Sequence, residues 1–382
     1  RRGFDGQRAG EALIAACKQR GPFNPSRVRG RGVWLEGDRI VINLGVPVQS
    51  DRYLYLCFEP IRLVDGANFD GKRLLKLLQM FRWRDPNDAM LLFGWLALAA
   101  ICGVLQWRPH CFVFGPARSG KTTIHSIAAT LLAPLVVAAD GQSTEAGIRQ
   151  SLGPDSLAII LDEFESDQNA SKLKQVLRMA RSASSADTPV LRGTPEGKAM
   201  SFSIRTAFFF AAINPRGMSP ADQSRIMMLE LLMHDNDSAK ARTIAEEEAH
   251  FRSLEGAWCS YMVANAHLIE GAINTFEPVI PAADRRLRQN VSSILGAGFV
   301  ALHGRAPERG EASAMAKEFE GTINRHAEEV ERDDALECLE HLFAHVVDDY
   351  PLGHWIAAET NHQQSRQNDF ADARRIVSMN DI

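Results

Sequence analysis

The chain has 382 residues, a length that predicts two or three domains rather than one small domain. Apolar residues make up 45% of it and charged residues 24%, which is the composition of an ordinary globular protein with a sizeable core. The net charge of −4 excludes a protein that coats DNA through a uniformly basic surface, but a local basic surface such as a pore lining stays compatible with it.

Charge and cysteine are distributed unevenly along the chain. Residues 1–50 carry nine basic against four acidic side chains, whereas residues 240–349 carry 20 acidic against 11 basic ones. The six cysteines are scattered and have no C-x-x-C spacing. We interpret them as reduced thiols of a cytoplasmic protein, not as disulfides or zinc ligands.

The first 85 residues predict a small mixed α/β module. A helix is expected over Glu11–Lys18, a hairpin over Val33–Ile42, and a further strand over Tyr53–Phe58. The glycine-rich stretch Gly30–Trp34 favours turn chemistry over a phosphate-binding nest.

A run of 19 uncharged residues, Ala89–Trp107, is long enough in principle to span a membrane. It is rich in alanine and glycine, however, and only Arg108–His110 separates it from the next predicted strand. A membrane span there would press that strand onto the bilayer. We therefore predict a buried core helix and no membrane partner, with Asp85 as its N-cap and Pro86 as its first residue.

Short apolar runs alternate with helical patterns from Cys111 to Met233. Near-continuous apolar runs are typical of parallel strands buried on both faces, so this part predicts an α/β fold with a five-stranded parallel sheet. The expected strands are Cys111–Phe114, Leu135–Ala139, Leu157–Leu161, Ala207–Ile213 and Ile226–Met233. The resulting domains are a mixed module over 1–85, an α/β core over 86–235 and an α-helical region over 236–382.

A phosphate-binding motif, G-x-x-x-x-G-K-[ST], lies between the first of these strands and a predicted helix over Thr122–Leu132. Its glycines let backbone N–H groups surround phosphates, Lys121 reaches the β- and γ-phosphates, and the Thr122 hydroxyl binds Mg²⁺. The helix N-terminus also faces the anion. The sequence thus predicts ATP and Mg²⁺ as cofactors, with the nucleotide held by Gly115, Pro116, Ala117, Arg118, Ser119, Gly120, Lys121, Thr122 and Thr123.

Two adjacent acids, Asp162 and Glu163, follow the apolar run Leu157–Leu161. An acid at the end of such a strand holds the Mg²⁺ shell in P-loop ATPases, and a second carboxylate beside it can polarise the attacking water. We assign Asp162 to the metal and Glu163 to the general base. The alternative is a pair of solvated acids that end a strand.

Two further residues are candidates for the reaction. Asn214 follows the next apolar strand, where its amide can orient the attacking water, although an asparagine in that position is also a common turn former. Arg225 precedes the last strand, and an arginine supplied there by a neighbouring subunit would stabilise the transferring phosphoryl group. Arg225 could instead pair with Asp222, and Arg216 is a second candidate for the same role.

A basic hairpin is predicted between the acid pair and Asn214. Two β-like runs within Val190–Arg205 flank a Pro/Gly turn that carries Arg192 and Lys198. Basic residues on a projecting hairpin can contact nucleic-acid phosphates without reading sequence. An ordinary solvated hairpin is the alternative.

The order of these motifs between Gly115 and Arg225 resembles the superfamily 3 helicases. It is most similar to the helicase portion of phage and mobile-element primase-helicases, the group that includes the poxvirus-type enzyme. Flanking segments extend the resemblance over residues 25–235: Arg29–Trp34, Leu105–Pro109 and Ser143–Gln150. After Asp235 the similarity is less clear, and no nucleotide-sensing lid residue is carried over.

The resemblance implies an AAA+ P-loop ATPase that forms a hexameric ring, with ATP between subunits and single-stranded DNA in the central pore. It also implies 3′→5′ movement, residues 1–85 as a collar module and a primase-polymerase upstream of Arg1. The residues alone leave three other functions open: a double-stranded DNA translocase or packaging motor, an ATP-gated assembly switch without DNA, and a small-molecule kinase.

Overall fold

A computed structural model describes residues 5–20, 27–164, 170–185, 190–193, 199–202, 204–213, 215, 218–235, 237–329, 346–347 and 350–351. Two compact units are present, Arg1–Ile323 and Asn324–Ile382. The strands are β1 (Val28–Arg29), β2 (Gly32–Glu36), β3 (Arg39–Asn43), β4 (Leu54–Tyr55), β5 (His110–Phe114), β6 (Val136–Asp140), β7 (Ala158–Asp162), β8 (Val190–Gly193), β9 (Ala199–Phe202), β10 (Phe208–Ala212), β11 (Ile226–Glu230), β12 (Val346–Val347) and β13 (Tyr350–Pro351). The helices are α1 (Gly6–Arg20), α2 (Gly71–Gln79), α3 (Asp88–Ala99), α4 (Lys121–Leu132), α5 (Glu145–Leu152), α6 (Ala170–Ser185), α7 (Pro220–Gln223), α8 (Ser238–Arg252), α9 (Ala257–Phe276), α10 (Arg285–His303) and α11 (Arg309–Glu318).

The central sheet has the strand order β11-β5-β10-β7-β6, and every neighbouring pair is parallel. All five residues of β10 are buried, as are the first four of both β5 and β7, because helices cover both faces of the sheet. Phe208 and Phe210 stack at 5.6 Å on one face of β10. The predicted α/β fold with a five-stranded parallel sheet is confirmed, as is a helical region after it.

The apolar run before the sheet forms α3, in which every residue is buried. A Cβ on Gly94 would lie 2.2 Å from the carbonyl oxygen of Ile294, so the backbones of α3 and α10 approach closely. The predicted buried helix is confirmed but begins later than expected, with Asn87 as N-cap. The Asp85 carboxylate instead accepts a hydrogen bond from the Asn87 N–H at 3.0 Å, which forms a turn before the helix.

Among the helices of the described residues, none combines the length and the apolar character that crossing a bilayer requires.

The N-terminal segment contains the predicted hairpin, formed by β2 and β3, and a short parallel pair of β1 with β4. The stretch Gly30-Arg31-Gly32 packs against the loop 154–156 of the core. Arg31 donates to both oxygens of Asp155 from its backbone and side chain, at 2.6 to 2.9 Å. A Cβ on Gly32, whose φ is +130°, would lie 2.4 Å from Ser156 O. These glycines therefore permit a close backbone approach between two parts of the fold.

The acidic run Glu246–Glu248 on α8 is engaged within the fold. Glu247 pairs with Arg73 of α2 at 2.7 Å, and Glu248 pairs with Arg252 at 2.8 Å. Glu248 also accepts a hydrogen bond from Ser126 of α4. Glu247 thus joins α8 to α2 and Glu248 joins it to α4, while the Glu248–Arg252 pair lies within α8. The domain boundaries at 85 and 235 stay a prediction.

Candidate nucleotide-binding site

The P-loop connects β5 to α4 at the carboxyl edge of the sheet. Gly120 is the N-cap of α4 and has φ +95°, and a Cβ there would lie 2.9 Å from the ring of Phe81. Only glycine satisfies both constraints at this position. The loop also contains Arg118 in a left-handed conformation, with φ +64°. The segment thus curls tightly and presents the N-terminus of α4, which is where an anion binds most readily.

The Lys121 ammonium lies within this loop. Its Nζ donates to Gly115 O at 2.6 Å and to Pro116 O at 2.8 Å, and Ser119 Oγ lies 3.5 Å away. These acceptors orient the ammonium inside the loop. The positive charge is therefore held where a bound phosphate would lie.

Asp162 is the last residue of β7, at the same edge of the sheet as the P-loop. His125, one helical turn after Thr122, has its Nδ1 3.9 Å from Asp162 Oδ2. The carboxylate therefore lies beside the first two turns of α4. A hydroxyl and a carboxylate on neighbouring elements fit the oxygen ligands that Mg²⁺ requires. His125 was not anticipated from the sequence, where only its three-residue spacing from Thr122 could have suggested it.

Glu163 has an unusual backbone conformation directly after β7. Its φ is +52°, in the left-handed region that non-glycine residues rarely adopt. Its N–H donates to Asp162 Oδ1 at 3.0 Å, and its side chain is exposed. A Cβ on Gly141 would lie 2.5 Å from Glu163 O, so the glycine makes room for this turn. Such local strain is typical of functional sites.

Asn214, Arg216 and Lys198 lie outside the described residues. The strand that leads to Asn214 is β10, which lies between β5 and β7. The carboxyl end of β10 therefore reaches the sheet edge between the P-loop and Asp162. The predicted sensor role of Asn214 stays a prediction.

Arg225 lies at the opposite, amino edge of the sheet. Its carbonyl oxygen accepts a hydrogen bond from the N–H of His110, the first residue of β5, at 2.9 Å. The P-loop leaves the other end of the same strand, which spans ~13 Å. Asp222, the alternative partner of Arg225, forms its ion pair with Arg181 at 2.6 Å. Arg225 therefore cannot contact a phosphate held by Lys121 of its own chain.

The predicted basic hairpin is present as the antiparallel pair β8 and β9. Arg192 was predicted in the turn, but it pairs with Met200 within β8, one residue before the strand ends. Lys198 is outside the described residues.

A cavity of about 130 Å³ lies away from this site. Its lining comes from Leu35, residues 104–107, α9, α10 and Glu277, with Trp107 among them. No P-loop residue contributes to it, so we do not assign it to nucleotide binding.

The fold and the site geometry place the chain in the P-loop class of α/β proteins. No protein-family model and no curated protein matches the sequence. Among solved structures, the chain is similar to one described as "SCCmec type IV Cch - active helicase". The identity is 12%, the similarity covers 94% of this chain and 69% of that chain, and the TM-score is 0.49. A similarity at this level carries no argument about function.

Proposed function

We propose that the chain is a cytoplasmic ATPase that assembles into a hexameric ring and translocates on single-stranded DNA as a helicase. We place it in the replication of a phage or mobile element. One observation carries the proposal. The P-loop and Asp162–Glu163 lie at one edge of the parallel sheet, whereas Arg225 lies at the other. Only a second copy can bring these two parts of an ATPase site together.

The nucleotide is held by the backbone N–H groups of residues 117–120 and by the Lys121 ammonium, which exchanges its carbonyl contacts for phosphate oxygens. Thr122 and Asp162 are the residues that would hold Mg²⁺. The ion, when bound, neutralises charge on the β- and γ-phosphates.

Hydrolysis follows from the remaining residues. Glu163 accepts a proton from the attacking water, and Asn214 orients that water. The oxygen attacks the γ-phosphorus, the bond to the β-phosphate oxygen breaks, and ADP leaves. Arg225 of the adjoining subunit stabilises the charge that spreads over the transferring group.

The DNA contact is assigned to the β8–β9 hairpin, through Arg192 and Lys198. The hairpin would contact backbone phosphates, and hydrolysis would move it along the strand. Contacts of this kind weaken with salt, with a slope of about 0.7 per phosphate contact on single strands.

The test is ATP turnover without DNA, with single-stranded DNA and with blunt duplex, for wild type and Lys121→Ala. We expect strong stimulation by single strands that is absent in Lys121→Ala, followed by separation of a forked substrate. The double variant Arg192→Ala/Lys198→Ala should lose the stimulation and reduce the salt slope. Arg242→Ala, on the exposed face of α8, is the matched control. It should keep the stimulation by single-stranded DNA and the wild-type salt slope.

Two outcomes would replace the proposal. Stimulation by duplex only, without strand separation, would identify a double-stranded DNA translocase or packaging motor. Robust turnover that no DNA alters would identify an ATP-gated assembly switch, with a protein partner in place of DNA.

A further inference from the structure

Two arginines from distant parts of the chain converge on the hydroxyl of Ser224. Arg225 Nη1 lies 3.3 Å from Ser224 Oγ, and Arg286 Nη1, from the first turn of α10, lies 3.4 Å from the same atom. The hydroxyl donates its own proton to Ala221 O at 3.1 Å. A serine hydroxyl has one donor and two acceptor positions, and all three are occupied here. Ser224 therefore fixes the two guanidinium groups side by side.

Ser224 is itself held firmly. Its carbonyl oxygen accepts a hydrogen bond from Asn290 Nδ2 at 3.1 Å, and Asn290 Oδ1 accepts one from Trp107 Nε1 at 2.8 Å. Asn290 is buried. The arginine pair is thus anchored to the core, and a rigid anchor is what an anion site needs.

The acids that lie close in sequence to the two arginines already have partners. Asp222 pairs with Arg181 at 2.6 Å and accepts from the N–H and hydroxyl of Ser219. Asp284 caps α10 by accepting the N–H of Leu287 at 2.7 Å. Within the described residues, neither Arg225 nor Arg286 forms an ion pair with a carboxylate. The pKa of Arg225 is lowered, mainly by burial and then by the charges of Arg286 and Arg181. Asp222 acts in the opposite direction.

Two neighbouring guanidinium groups that share only neutral acceptors repel each other electrostatically. A bound anion would offset this repulsion. Arg286 is exposed and Arg225 is partly so, which leaves the pair accessible to another molecule. The pair lies at the amino edge of the sheet, away from the P-loop of its own chain.

We propose that Arg286 acts with Arg225 as a two-arginine site for the terminal phosphates of ATP bound to an adjoining copy of this chain, with Ser224 as the positioning residue. The inference rests on the proposed function and extends it into the helical region, because Arg286 belongs to α10. A planar guanidinium suits this role, since it can donate two parallel hydrogen bonds to a phosphate.

The test combines single variants with subunit mixing. Arg286→Ala should bind a fluorescent ATP analogue as wild type does. Its kcat should be roughly 10- to 100-fold lower, because one charge-assisted hydrogen bond to the transferring phosphate is lost. Arg286→Lys should recover part of this loss. Mixing Arg286→Ala with Lys121→Ala should raise single-turnover hydrolysis above that of either variant alone, because the intact P-loop of an Arg286→Ala subunit can then meet an intact Arg286 from a Lys121→Ala neighbour.

Arg285→Ala is the matched control, because Arg285 is the exposed neighbour on the same helix. It should keep the wild-type kcat, and an equal loss would overturn the paired site in favour of general surface charge. Absence of any gain on mixing, with subunit exchange verified by energy transfer, would also overturn it. If turnover survives Lys121→Ala, the proposed function fails. If turnover needs Lys121 but not Arg286, only this inference fails.

Discussion

Glu163 and Arg118, both at the site, are the two non-glycine residues of the described chain with a positive φ. Glu163 differs from Arg118 in following directly after a strand. It lies between the end of β7 and Phe164, whose N–H donates to Ala211 O at 2.8 Å. The chain therefore returns to the sheet immediately after one left-handed residue. Glu163 is therefore excluded from the hydrogen bonding between β7 and β10. Its side chain is exposed at the edge of the sheet where the P-loop lies.

Glu163→Gln should lower ATP turnover about 10²- to 10⁴-fold while ATP binding is retained, because the amide keeps the side-chain shape but cannot accept the proton. Rapid-quench single-turnover kinetics and analogue binding would measure both. Asp140→Asn changes the acid that faces Asp162 in the β6–β7 register and should alter turnover little. Undiminished turnover in Glu163→Gln would assign the base elsewhere.

His110 has a structural role that the sequence did not suggest. Its Nδ1 accepts the N–H of Phe208 at 3.1 Å, so the neutral ring carries its proton on Nε2 and donates it to Ala180 O at 2.6 Å. One buried imidazole thus joins β5, β10 and α6. Burial lowers the pKa of His110 from 6.5 to about 3, partly opposed by the Ala180 hydrogen bond and reinforced by Arg108 and Arg225.

The lowered pKa of His110 predicts acid sensitivity. Between pH 6.5 and 3 the unfolded chain binds a proton at this residue and the folded chain does not. The free energy of unfolding should therefore fall as the pH decreases below 6.5, by up to about 1.4 kcal/mol per pH unit. Urea titrations from pH 7.5 to 5 would measure the slope. His110→Asn should flatten it, His267→Gln on the exposed face of α9 should not, and an unchanged slope in His110→Asn would contradict the assignment.

Backbone hydrogen bonds join the strand before the P-loop to two segments that are distant in sequence. The segment 82–84 pairs with 230–232 through Arg84 N–H to Glu230 O and Leu232 N–H to Arg82 O, at 2.8 and 2.7 Å. Leu231 N–H in turn donates to Phe114 O at 2.7 Å. The chain before α3 and the chain after β11 therefore support the loop from behind, and Phe81 fills the space beside Gly120.

Gly120→Ala should destabilise the protein by about 1–3 kcal/mol, because alanine at φ +95° is strained and its Cβ would contact the Phe81 ring. ATP affinity should fall with it, as the loop must shift. Gly271→Ala is the control, since it lies in α9 with open space around the added atom and should stabilise by about 0.5–1 kcal/mol. Thermal unfolding and analogue binding report both, and a Gly120→Ala protein of wild-type stability and affinity would contradict the steric argument.

For the whole molecule, the proposed function predicts that activity depends on assembly, because Lys121 and Arg225 lie at opposite edges of the sheet. Turnover per subunit should rise with protein concentration and level off where sedimentation shows a ring. Dilution below that point should lower kcat by about 10³-fold or more if Arg225 acts as proposed. A fully active monomer in sedimentation would contradict a site shared between copies.

The local features of this protein follow from its sequence. The strands of the sheet, the β2–β3 and β8–β9 hairpins and the P-loop were predicted within a few residues of their observed bounds, and the buried helix α3 was predicted but ends at Ala99, before the apolar run does. Each depends on apolar periodicity or turn chemistry within a short stretch, where the neighbours in sequence are also the neighbours in space.

Only the tertiary structure decided which residues meet. The sheet order places Arg225 at the edge opposite Lys121, and the packing of α10 brings Arg286 to Ser224. The same holds for Arg31 against Asp155 and for His125 beside Asp162. These pairs are far apart in sequence, or belong to elements whose relative placement is set by crossover connections and core packing, so no local pattern records them.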